Sequence, residues 1–160
     1  MVSAILALSI AHASMASPKV CSASVTNVGI FGGYEAFLLE SGDLWFRDFY
    51  PPGGRGLKER RYHLHLDADG VWVWDLGERI KHHQFFKLKD STRREIPDEG
   101  AASIVITPCG QRPFTVRQLS FDRKPAFQIV LDWFLIRWET AKAAGPVYDG
   151  EIERSWTPPP

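Results

Sequence analysis

Two histidines, His63 and His65, stand two apart in an alternating run, Arg60 to Leu66, and two tryptophans, Trp72 and Trp74, stand two apart shortly after it. Residues two apart on a strand point to the same side. If Asp67 to Gly70 makes a two- or four-residue hairpin turn, Tyr62, Leu64, Leu66, Val71 and Val73 take the core side of the hairpin. His63, His65, Trp72 and Trp74 then share the opposite side. Flat aromatic rings with polar neighbours suit stacking on a sugar or docking against a protein. These four are the candidate binding residues. A three-residue turn would return the tryptophans to the leucine side. A helix over Val71 to Ile80 is the competing reading, but Val-Trp-Val-Trp is poor helix material. The face is also one that a long helix, or a C-terminal segment carrying Trp156, would cover.

Other chemistry is less well supported. His63 and His65 with His82 or His83, and Asp67 or Asp75 as a further group, would make a zinc site, yet the usual zinc-ligand spacings are absent. Asp67-x-Asp69-Gly70 matches part of a calcium loop, but His65 and Leu76 would stand where that loop needs carboxylates. No Ser lies in a Gly-x-Ser-x-Gly elbow, and neither cysteine has a nucleophile's local signature. Pro51 to Gly56 is Gly-rich without the Gly-Lys-Ser/Thr ending of a phosphate loop. Asp98, Glu99, Glu151 and Glu153 read as solvated loop carboxylates, and the basic group Arg55, Lys58, Arg60 and Arg61, offset by Glu59, as a solvated edge. The expectation is no catalytic residue, no metal and no cofactor.

The element that positions everything else is Pro125 to Gly145. At helical spacing Phe127, Val130, Leu131, Phe134, Trp138 and Ala141 form one stripe, and Trp133 and Ile136 point away from it. Pro125 suits a first turn, and Gly145-Pro146 ends the helix. One sheet face cannot bury both apolar sets. The C-terminal segment through Tyr148, Ile152 and Trp156 is expected to cover Trp133 and Ile136 in a monomer, with a dimer through that face as the alternative. Strand-like runs join in hairpins: Tyr34 to Glu40 with Leu44 to Tyr50, Arg60 to Leu66 with Val71 to Leu76, and Ala102 to Thr107 with Phe114 to Phe121. The fold class expected is α+β, an antiparallel sheet of about six strands with one long C-terminal helix packed on it.

The 160 residues suit one domain, placed at residues 26–157. Nineteen basic residues balance nineteen acidic ones, which argues against a nucleic-acid binder that must neutralise phosphates. Residues 1–16 carry an uncharged apolar run followed by small residues, the pattern of a signal peptide, although no Lys or Arg precedes it. That run is too short to span a bilayer, and nothing later is a membrane helix. Export to a periplasmic or extracellular space would allow Cys21 and Cys109 to pair, with two free thiols as the alternative.

The run Phe85 to Asp90, then Ile96 to Gly100, a hairpin, Phe121 to Phe127, and a helix ending before Pro146 to Gly150 resembles small uncharacterised exported bacterial domains. The resemblance covers the C-terminal half. It implies the order strand, strand, helix and no chemical role. The functional expectation is a non-enzymatic exported module that binds a protein or a glycan. A small metal-dependent hydrolase using His63 and His65 is the alternative.

Overall fold

The computed structural model describes residues 17–29, 32–50, 58–66, 70–92, 100–120 and 122–159. The expected leader, the Asp67 to Asp69 turn, Arg55, and Asp98 with Glu99 lie outside them. In chain order the elements are β1 (Val20–Gly29), β2 (Gly32–Leu38), β3 (Asp43–Tyr50), β4 (Lys58–His65), α1 (Val71–His82), a short 3-10 turn (Phe85–Lys87), β5 (Ala101–Pro108), β6 (Phe114–Leu119), α2 (Pro125–Ala144) and β7 (Tyr148–Glu151). The fold is α+β. Seven strands, all antiparallel to their neighbours, form one open sheet in the order β6-β5-β1-β2-β3-β4-β7. The long C-terminal helix packs on it, as its apolar stripe requires.

Two of the expected hairpins form, β2 with β3 and β5 with β6. The third does not. Val71 to Leu76 belongs to helix α1, because Val73, Leu76, Gly77 and Ile80 recur at helical spacing and bury one stripe against the core. Burial of that stripe outweighs the weak helix propensity of Val and Trp. The edge of β4 that a hairpin would have used is taken by β7, through Arg61↔Tyr148 and Lys58↔Glu151. Gly77 has a packing reason as well: a Cβ there would meet the Pro18 carbonyl at 2.6 Å.

None of the expected hairpins includes Val20–Gly29, which forms β1. β1 is an interior strand of the sheet, paired to β2 through Ala23↔Leu38 and to β5 through Ala23↔Ile106. Ala23 and Val25 are buried, while Ser22, Ser24 and Thr26 turn to the other face. Cys21 and Cys109 are bonded to each other, tying the start of β1 to the turn after β5 across 88 residues of sequence. In the chain-entropy picture, closing a loop of that length stabilises the fold by roughly 4–5 kcal/mol.

Both helices lie on one face of the sheet. Trp138 of α2 packs beside Tyr34 and Phe46, with ring centroids 4.9 and 6.2 Å away. Trp133 is fully buried in the same cluster as Leu76 and Ile80. Its cover is therefore α1. The expectation that the C-terminal segment shields it is incorrect, because Gly145 and Pro146 lead the chain around the β4 edge to the opposite face. Trp133 offers no surface to a second copy, and of the expected dimer pair only Ile136 is exposed.

On that opposite face the C-terminal segment crosses the sheet and Trp156 docks. Its ring lies 6.2 Å from Phe37 and 6.0 Å from Trp45, with the Arg47 and Arg61 guanidinium groups 5.5 and 4.7 Å from its centre. Glu59, fully buried, sits between the two arginines: Arg47 Nε donates to it at 2.7 Å and Arg61 Nε at 2.8 Å. Arg47 also donates to the Glu153 carbonyl, and Arg61 to the Glu153 carboxylate, both at 2.6 Å. Arg61 and Glu59 are thus interior groups, contrary to the solvated edge expected for them. Glu59→Gln, which removes the shared counter-charge of two buried arginines, should destabilise the protein by about 3 kcal/mol. Trp156→Ala should cost about 2 kcal/mol. Urea midpoints within error of wild type for both variants would show that the network carries no stability.

Candidate binding surface

His63 and His65 sit on β4 with their side chains on the open face, since Tyr62 between them points into the helix-covered core. Their registers place His63 opposite Trp45 and His65 opposite Asp43. Asp43 joins the two. His63 Nε2 lies 2.8 Å and His65 Nδ1 3.0 Å from the same Asp43 oxygen, Oδ1, and Ser41 Oγ donates to Oδ2 at 2.6 Å. A carboxylate only accepts, so each of those ring nitrogens carries a hydrogen. The His63 ring also stacks on Trp45, with centroids 4.4 Å apart. Asp43 was absent from the expected set. Its signal was its place at the turn that starts β3, which the β3–β4 pairing brings beside the histidines.

This arrangement limits the chemistry. The Ser41 hydroxyl donates to the Asp43 carboxylate, whose basicity is lowered by the hydrogen bonds it accepts. The expected partners of a zinc site do not gather: Asp75 is on α1, across the sheet, and Asp67 lies outside the described residues. Among the described residues, one set of three potential ligand groups draws within 4.8 Å, Cys21, Glu40 and Cys109, and its two sulfurs are bonded to each other.

Trp72 and Trp74 are in the first turn of α1, on the helix side of the sheet. The sheet therefore separates them from His63 and His65, and the four-residue face does not assemble. The reason is the helical period: the stripe that α1 buries leaves Val71, Trp72 and Trp74 around its outer side, 60, 46 and 63% exposed. Gly70 starts the helix in the left-handed region, at φ 70°, without a side-chain cap.

Trp72 does not stand alone. The Arg137 guanidinium of α2 lies 4.6 Å from the Trp72 ring centre and 3.7 Å from that of Trp133, a cation held between two indoles. Arg137 is buried, and burial pulls its pKa down to about 10. Its Nη1 donates to the Trp133 carbonyl at 2.8 Å, while the nearest carboxylate, Asp75, is 3.5 Å away. Asp75 is engaged by Arg79, whose Nε lies 3.0 and 3.2 Å from its two oxygens. Arg137 Nε and Trp133 Nε1 are buried without a hydrogen-bond partner. Next to Arg137 in sequence, Ile136 is 60% exposed.

No protein-family model matches the chain, and no curated protein sequence matches it. The surface has to be read from its own chemistry.

Asp43 supplies a pH test. Its hydrogen bonds from Ser41, then His65 and His63, hold its carboxyl well below the usual carboxylate range. Its contribution to stability is thus present above the ordinary Asp value of about 3.9 and fades as pH falls below that toward the lower folded value. Asp43→Asn should flatten the loss of stability between about pH 5 and pH 2, followed by urea midpoints. An acid limb as steep as that of wild type would remove Asp43 from this role.

Proposed function

We propose that this chain is an exported, non-enzymatic binding module that engages a partner protein through the first turn of α1. The observation that carries this is the exposure of Val71, Trp72 and Trp74 on a helix anchored by Leu76 and Ile80. Soluble monomers rarely leave large apolar surfaces in water, and Trp is enriched among residues that dominate protein interfaces. The aliphatic Val71 beside Trp72 favours a protein over a glycan, because a sugar face needs hydrogen-bonding groups around its stacking ring. Export is part of the proposal. It rests on the leader pattern of residues 1–16, the resemblance to exported domains, and the Cys21–Cys109 bond, a type that persists in oxidising compartments.

A second reading, a metal-dependent hydrolase on His63 and His65, gains Asp43 as a neighbouring carboxylate. It requires both imidazoles to leave their shared oxygen for an ion. Stoichiometric zinc in protein purified without chelators, lost in the His63→Ala, His65→Ala variant, would favour it over the binding module.

The binding reading is tested by panning a random peptide display library on the full, disulfide-bonded protein. Enriched peptides should be retained by wild type and lost on the Trp72→Ala, Trp74→Ala variant. Enrichment of no peptide, or equal retention by the variant, would overturn the reading.

A further inference from the structure

We infer that the α1–α2 surface takes a side-chain carboxylate of its partner, an Asp or Glu flanked by apolar residues, against Arg137. This rests on the reading of the α1 turn as the contact surface and names the chemistry of what docks there. Arg137 carries a full charge in a buried place, held between Trp72 and Trp133. A guanidinium is always charged and offers five donors in a planar fork. Here Nη1 donates to the Trp133 carbonyl at 2.8 Å, Nη2 reaches Asp75 only at 3.5 Å, and Nε has no partner.

The local charge count leaves the same opening. Arg137 and Arg79 face one carboxylate, Asp75, which is near Arg79 and 3.5 Å from Arg137. Among the described residues, the pair of cations is thus one negative charge short beside the partly exposed Trp72. A buried cation is costly unless it is paired, and a second carboxylate arriving with a partner would pair it. Trp72, which lies against Arg137, is apolar and partly exposed, and so are its sequence neighbour Val71 on α1 and Ile136, next to Arg137 on α2, so the residues beside that carboxylate are expected to be apolar too. Docking would dry the fork and strengthen the pair. Glycans without acidic groups and neutral apolar peptides supply no counter-charge.

The peptides selected on wild type and lost on the Trp72→Ala, Trp74→Ala variant are the probes. Each is synthesised with an amidated C-terminus, and its Asp and Glu residues are replaced singly by Asn and Gln. For one acidic position the dissociation constant should rise about tenfold or more on wild type. Arg137→Lys keeps the charge and loses the fork, so it should narrow the difference between acidic and neutral peptides. The peptide-side comparison needs no protein variant and stands if Arg137→Lys folds poorly. Selected peptides that lack acidic residues, or that tolerate every replacement, would overturn the carboxylate while leaving the contact surface in place. Failure to select any Trp72- and Trp74-dependent peptide would overturn both. A neutral glycan that binds the same surface while no peptide does would overturn the inference as well.

Discussion

A carboxylate shut away from water has to be neutralised where it stands, and Glu59 is such a group. It is the constraint on which the open side of this sheet depends. Arg47 on β3 and Arg61 on β4 both turn to it, which ties the two strands through side chains as well as through the ladder. Neither arginine is fully served by one carboxylate. Their remaining donors reach the chain after β7 at Glu153, and their flat faces receive Trp156. The C-terminal segment is thereby drawn over the sheet by the unmet hydrogen bonds of two buried cations. An apolar core would have given that segment no such specific address.

The helix side follows a different rule. There the sheet presents Ala23, Val25, Ala36, Leu38, Leu44 and Phe46, and burial of area decides the arrangement. α2 is apolar around most of its girth and needs two neighbours. The sheet supplies one and α1 the other, which is why Trp133 is enclosed while Ile136 is left exposed. α1 pays its way with Leu76 and Ile80, and its remaining aromatic side chains, Trp72 and Trp74, face outward. Arg137 is caught at this junction because its aliphatic stem crosses buried ground. Its head lies between two indoles, with a single carboxylate that it shares with Arg79.

The two sides explain how the site residues fall. His63 and His65 keep the placement their spacing implied, side by side on a strand, and what binds them together is Asp43, 20 and 22 residues earlier and brought there by register. Trp72 and Trp74 also keep their tendency to be displayed, for the opposite reason, since a helix displays them on the far side of the sheet. A two-residue spacing is compatible with both outcomes only when the pairing partner is unknown.

Local periodicity was enough for α2, for the β2–β3 and β5–β6 hairpins and for the α+β class, because each depends on neighbours within a few residues. The alternation of Ser22, Ala23, Ser24 and Val25 was equally legible as a strand, but its hydroxyl side and its position beside the leader disguised it. The tertiary structure alone decided what depends on distant partners. It placed β1 inside the sheet between β5 and β2, gave the free edge of β4 to β7, and so left Val71 to Leu76 no strand to pair with. It joined Cys21 to Cys109, and it chose which elements cover Trp133 and which receive Trp156. The physical reason is common to all of these: a strand's edge, a helix's second face and a buried charge are each satisfied by groups far away in sequence, and no local pattern specifies which group arrives first.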